Sequence, residues 1–178
     1  MPVDDDIFEF GKNIHALASY YLRGENIDNL EKVLHDNERE IWNYLKSCNY
    51  FSYTLVGTEY NLSVKVDGKF FGGRLDALVK NGSTYYILDY KTGGAPKGAE
   101  KDFQTIIYVL AVKEFFKADD IKFVYLDLKN KKEVVINYSP ELEQVYKNKL
   151  ITVSQKMELS DLPPKKNSCD CEYKKICF

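Results

Sequence analysis

Two turn dipeptides constrain this chain more than any other feature. Asp67-Gly68 and Asn81-Gly82 interrupt runs rich in β-branched and aromatic residues. Asx-Gly pairs reach the positive backbone angles that tight hairpins require. The three runs so divided, residues 54–66, 69–80 and 84–91, are expected to pair as consecutive antiparallel strands. A meander of this kind has apolar side chains to bury, so flanking elements must cover it.

The flanks offer helices of suitable pattern. Residues 5–22 carry Phe10, Ile14, Leu17, Ala18 and Tyr21 at helical spacing behind an acidic first turn, and Gly24 follows. Residues 27–46 predict a second helix, with Leu30, Val33, Leu34, Ile41, Trp42 and Leu45 turned inward. After the loop 92–98, residues 99–116 predict a third, with Phe103, Ile106, Ile107, Leu110, Ala111 and Phe115 at core spacing. Strands are expected at 121–128 and 133–137, and a last helix at 140–159, with Pro140 at its first position. The order predicts an α/β fold: a central mixed sheet flanked by helices, with an N-terminal helical segment and a tail from Pro163 onward. A chain of 178 residues with 44% hydrophobic content is expected to form one domain, residues 1–178, rather than to be disordered. A net charge of −2 excludes a bulk polycation, so any nucleic-acid contact must be local. No apolar run approaches the roughly 20 residues of a membrane span. The acidic start, MPVDDDIFEF, lacks the basic and apolar regions of a signal peptide, and a cytoplasmic location is expected.

The candidate chemistry lies in the meander. Asp76 belongs to its second strand; Asp89 and Lys91 end its third. Two carboxylates side by side repel unless a cation lies between them, which points to a divalent metal. Lys91, two positions beyond Asp89, shares its face of the strand and could stabilise charge on a phosphate. Taken singly, each acid could equally face water or pair with Arg74 or Lys91. His15, one of two histidines, lies beside Ile14 on the apolar side of the first helix, either as a metal ligand or as a half-buried ring bonded to a carbonyl. Gln104 and Tyr108, four apart, share a helical face and could bond a phosphate or the lysine, or simply pack.

These segments resemble, in order, the motifs of the PD-(D/E)XK nuclease superfamily, in particular its RecB-type branch, which includes the nuclease domains of RecB and AddB and CRISPR-associated RecB-like exonucleases. Gly11-Lys12-Asn13-Ile14-His15 is similar to the helix-borne G-x-x-x-H motif, and Gly73-Arg74-Leu75-Asp76 to the G-x-x-D strand. Asp89-Tyr90-Lys91-Thr92-Gly93 is similar to the D-x-K-T-G strand end, and Gln104 with Tyr108 to the Q-x-x-x-Y helix. The resemblance implies a restriction-endonuclease-like core and a DNA nuclease that uses Mg²⁺ or Mn²⁺. Asp76, Asp89, His15 and the backbone carbonyl of Tyr90 would be ligands, and Lys91 would position water and stabilise the transition state. Glu59 resembles a frequent acidic residue on the preceding strand, either a secondary contact or structural. DNA with single-stranded character or free ends is the expected substrate. Protein partners, a homo-oligomer, and a catalytically silent nucleic-acid-binding subunit of the same fold stay open.

The 4 cysteines are unevenly spread: Cys48, then Cys169, Cys171 and Cys177. The last two have the C-x₅-C spacing that resembles the end of iron–sulfur RecB-type nucleases. The Cys169–Cys171 spacing departs from that pattern, and the cysteine expected before the histidine motif is missing. A four-iron cluster held by these cysteines, a relict of one, and zinc are the alternatives. Lys97 and Lys101 beside the loop, and Lys165, Lys166, Lys174 and Lys175 with Tyr173 in the tail, would suit a phosphate-tracking surface or ordinary solvated positions.

Overall fold

The computed structural model describes residues 5–159. The meander forms from β1 (Thr54–Val66), β2 (Lys69–Asn81) and β3 (Thr84–Lys91). At the first hairpin Val66 pairs with Lys69, and both Asp67 (φ 51°) and Gly68 (φ 79°) take the positive angles of a type I′ turn. The second turn sits one residue later than its dipeptide suggested. Asn81 pairs with Thr84, so the turn residues are Gly82 (φ 60°) and Ser83. Glycine at the first central position satisfies a two-residue turn without Asn81.

A helix, α4 (Phe103–Phe116), then carries the chain back to β4 (Ile121–Asp127), parallel to β3, and β5 (Lys132–Asn137) closes the far edge antiparallel. The five-stranded sheet runs β1-β2-β3-β4-β5, mixed as expected. Its two faces bury separate cores. One takes α1 (Asp5–Leu22) and α3 (Asp36–Ser47), through Ile14, Leu17, Trp42 and Leu45, onto Val79, Leu88, Val124 and Leu126. The other takes α4 and α5 (Pro140–Leu159), through Ile106, Val109, Leu110 and Leu150, onto Leu75, Ile87, Phe123 and Tyr125. Leu88 faces α1 while Ile87 faces α4, so β3 distributes its side chains between the two layers with the period of a strand.

Two helix expectations need correction. The helix expected over 27–46 is interrupted: α2 (Asp28–Lys32) is a short turn, and α3 starts afresh at Asp36. His35 is extended (φ −67°, ψ 163°), and its N–H donates to Glu38 Oε2 at 2.9 Å, the reciprocal half of a capping box. Leu30 and Val33, expected to be inside, are exposed as a result, while Trp42 and Leu45 are buried. The helix expected over 99–116 begins only at Phe103, after a 3₁₀ turn over Ala99–Lys101. Asp102 caps it by accepting the Gln104 N–H at 2.8 Å. Phe103 and Phe115, assigned to the core by spacing, are exposed. The tail with Cys169, Cys171 and Cys177 lies outside the described residues, as do Lys165, Lys166, Tyr173, Lys174 and Lys175.

Candidate active site

The site forms where the sheet comes apart. Pairing between β2 and β3 stops at Ala77–Leu88. Leu75 belongs to the α4 core and Ala77 to the α1 core, so the regular alternation of β2 breaks at Asp76. Beyond the break, Tyr90 still pairs with β4, but on its β2 side it is served by side chains instead of a strand. Its N–H donates to Asp76 Oδ2 at 2.8 Å, and its carbonyl oxygen lies 3.1 Å from His15 Nε2. His15 Nδ1 lies 3.4 Å from Asp76 Oδ1. Both ring nitrogens face oxygens, so the doubly protonated imidazolium satisfies both. Burial opposes that charge, but the hydrogen bond and charge of Asp76 outweigh it and hold the ring above its ordinary pKa. The ring also meets the buried Tyr90 ring edge-on, with centroids 5.2 Å apart.

On the α4 side, Asp89 and Lys91 point together, as two-residue spacing on a strand requires. Lys91 Nζ lies 2.9 Å from Asp89 Oδ2 and donates to Gln104 Oε1 at 2.9 Å. Gln104 Nε2 donates to Asp89 Oδ1 at 2.6 Å. The Asp89 side chain is 3% exposed, and the Lys91 ammonium is the cation that its Oδ2 meets. Burial first, and then the charge of Asp76, push its carboxyl up to about 6 against the pull of Lys91. A buried carboxylate needs a cation beside it, and here Lys91 supplies one.

Glu59 joins from β1. His15, Glu59 and Asp76 each offer a ligand atom within 4.8 Å of the others, a donor set of one imidazole and two carboxylates that fits a divalent ion. Asp89 is not one of that triplet; its carboxylate is engaged by Lys91 and Gln104. Glu59 is held by Arg74, whose Nε lies 2.8 Å from its Oε2, and its backbone is left-handed (φ 49°). Tyr108 does not face the cleft. It is buried and donates to the Arg74 carbonyl at 2.7 Å, and a Cβ on Gly73 would come within 2.8 Å of its hydroxyl. Glycine at 73 is thus required by the close approach of the tyrosine. An open cleft of about 760 Å³ runs over the site, lined by α1 from Gly11 to Arg23, by Glu59 and Arg74, and by Tyr90 to Gly94.

Asp127, at the end of β4, was not apparent from the sequence. Its carboxylate accepts from Ala95 N–H (3.3 Å), Asn130 N–H (2.9 Å) and Asn130 Nδ2 (2.8 Å), and so latches the loop after Lys91 to the sheet. The Asp-x-x-Asn pattern of an Asx turn was its only signal. Cys48 is buried at the end of α3; its thiol donates to the Tyr44 carbonyl at 3.4 Å, and burial with the Glu133 charge pushes it up to about 11.

A family model for the PD-(D/E)XK nuclease superfamily matches residues 28–178. The chain belongs to this superfamily. The matched residues include β1 to α4, hence Glu59, Asp76, Asp89, Lys91 and Gln104, while His15 on α1 lies before them. The CRISPR-associated exonuclease Cas4 of Francisella tularensis subsp. novicida (strain U112) is 30% identical over 126 residues, 66% of this chain. The chain spans 61% of the length of that relative. Among solved structures, a protein of Eubacterium rectale named for an inferred exonuclease activity superposes with a TM-score of 0.49 at 12% identity, over 82% of this chain and 64% of its own. The structure of SSO0001 does so with 0.42 at 20% identity, over 92% and 84%. Within the superfamily a divalent metal is the expected cofactor, in keeping with the carboxylate-rich donor set. Among the described residues, no helix is long and apolar enough to cross a membrane.

Proposed function

We propose that this chain is a metal-dependent deoxyribonuclease that hydrolyses phosphodiester bonds in DNA with single-stranded character or free ends, using Mg²⁺ or Mn²⁺. The observation that carries this is the position of Lys91. Its ammonium is fixed between Asp89 and Gln104 while remaining 30% exposed. A lysine needed only to neutralise Asp89 would not require a second tether from α4.

Asp76, Glu59, His15, Asp89 and the Tyr90 carbonyl are the groups that would hold the metal. When bound, a divalent ion at these oxygens supplies Lewis-acid polarisation of a phosphoryl oxygen and lowers the pKa of water. The chain's own residues do the rest. Lys91 faces the cleft and offsets charge developing on the phosphate. Gln104 orients Lys91 and Asp89 together. Asp76 fixes the Tyr90 amide, and so the direction of its carbonyl. Such a substrate would be met in the cytoplasm. A cluster ligated by Cys48 would need its thiolate, which burial opposes. The visible spectrum of anaerobically purified protein tests whether the cysteines hold iron.

Digestion of single-stranded, blunt duplex and circular DNA with Mg²⁺ or Mn²⁺ tests the assignment. Wild type should cleave, and Asp89→Ala and Lys91→Ala should each lose at least roughly 100-fold. Activity surviving both substitutions would show the site to be wrong. DNA binding without cleavage by the wild type would identify a silent binding subunit instead. Circular substrates separate endonuclease from exonuclease action.

A further inference from the structure

The cleft wall contributed by α1 continues well past the residues assigned to chemistry. Its lining includes Lys12, Arg23, Arg74 and Lys91, of which Arg23 pairs with Glu25, Arg74 with Glu59 and Lys91 with Asp89. Along α1, Tyr20 follows His15 by five residues, about 7.5 Å along the axis, and Arg23 by eight, about 12 Å. Tyr20 is 36% exposed, while Ile14, Leu17 and Ala18 of the same helix enter the core. Its ring carries the Arg23 guanidinium, 5.0 Å from the centroid. Among the described residues, Arg23 is otherwise tied only to the neighbouring Glu25, at 2.7 Å, and both partners are exposed. Such a pair is weak and exchanges readily for phosphate. Tyr20 also borders a second groove, of about 200 Å³, beside the exposed apolar residues Leu30 and Val33.

We propose that Tyr20 is the platform on which an unpaired base stacks as the strand leaves the metal site, with Arg23 taking the adjoining phosphate. Rings stack on any base, whereas a duplex covers its base faces everywhere but at its two ends. Tyr20 therefore selects single-stranded over paired substrate. This rests on the nuclease function proposed above and adds the residues that set its strand preference. Tyr20 is a positioning residue, remote from the reacting atoms.

The experiment measures binding of a short oligodeoxythymidylate, and of one carrying 2-aminopurine, with divalent ions chelated, and runs cleavage with Mg²⁺ in parallel. Tyr20→Ala and Tyr20→Leu, the second keeping bulk but not the flat ring, should weaken single-strand binding roughly 10-fold or more and abolish quenching of the base analogue. Tyr20→Phe should stay within about 2-fold of wild type, because the ring is kept. Arg23→Gln should lower the slope of log K against log salt by about 0.7. Binding by Tyr20→Leu equal to wild type would overturn the proposal. So would an equal loss on blunt duplex, or no single-strand binding by the wild type. Tyr20-dependent binding without cleavage would sustain the platform and sink the nuclease assignment; cleavage insensitive to Tyr20 would do the reverse.

Discussion

Gln104 hydrogen-bonds Asp89: its Nε2 donates to Asp89 Oδ1 at 2.6 Å, while its Oε1 accepts from Lys91. One amide from α4 thereby orients both polar groups at the end of β3. Gln104→Leu should lower kcat about 10- to 100-fold, the usual cost of losing an orienting partner, with little change in melting temperature. Steady-state kinetics beside a thermal melt would show it, and an unchanged kcat would assign Gln104 to packing alone.

Asp89 should make the metal-free protein less stable as pH rises. Its folded pKa of about 6 lies above the ordinary value of 3.8. The stability contributed by its protonated form is therefore full below about 3.8 and is lost as pH climbs through about 6, a span worth roughly 3 kcal/mol. The raised pKa of His15 works in the same direction at somewhat higher pH. Asp89→Asn should flatten this slope and melt higher than wild type at pH 7.5 in EDTA, although cleavage is lost. Denaturant unfolding across pH 4–8 measures it; a wild type that gains stability over that window would contradict the assignment.

Divalent ions should stabilise the fold more at high pH than at low pH. A cation among these groups competes with the protons of His15 and Asp89, so binding releases protons. The shift in melting temperature on adding Mn²⁺ should grow between about pH 5.5 and 8. Titration calorimetry in buffers of different ionisation enthalpy should register the released protons.

Gly73 and Tyr108 should behave as a coupled pair. A methyl group at Gly73 would meet the Tyr108 hydroxyl at 2.8 Å and its Cε1 at 2.9 Å. Gly73→Ala should cost about 1–3 kcal/mol. Tyr108→Phe should cost about 1 kcal/mol, through the unbonded Arg74 carbonyl. The double variant should cost less than the sum, since removing the hydroxyl relieves part of the clash. Strict additivity in a denaturant cycle would refute the contact.

Much of this architecture could be read from the chain because its signals are local. Asx-Gly turns, a strand period and the Asp102–Phe116 helix pattern each act over a few residues, and the meander and crossover follow from them. The misplaced elements are those where one local signal hid another. The apolar spacing from Leu30 to Leu45 continues in phase across the break, while the stop, an extended His35 bonded by Glu38, depends on a cap. Asp102 was the equivalent overlooked cap before α4. In the site, the common face of Asp89 and Lys91 was readable from strand spacing, and both side chains meet Gln104. The approach of Glu59 to His15 and Asp76 was suggested only by the resemblance and was not readable from spacing. Nor was the latch at Asp127, which acts across a gap of 32 residues on Ala95.

The opened seam between β2 and β3 has a consequence for how variants must be interpreted. Asp76 holds the Tyr90 amide that a neighbouring strand would otherwise have bonded, and so replaces a rung of backbone. Its removal loosens the architecture and the chemistry in one stroke. Among the described residues the Lys91 ammonium bonds no backbone group, but it meets Asp89, Gln104 and the Tyr125 ring and neutralises the buried Asp89 carboxylate. Inactivity of an Asp76 variant, or of a Lys91 variant that strands the buried Asp89, therefore reports on folding as much as on turnover, and each calls for a thermal melt beside the cleavage assay.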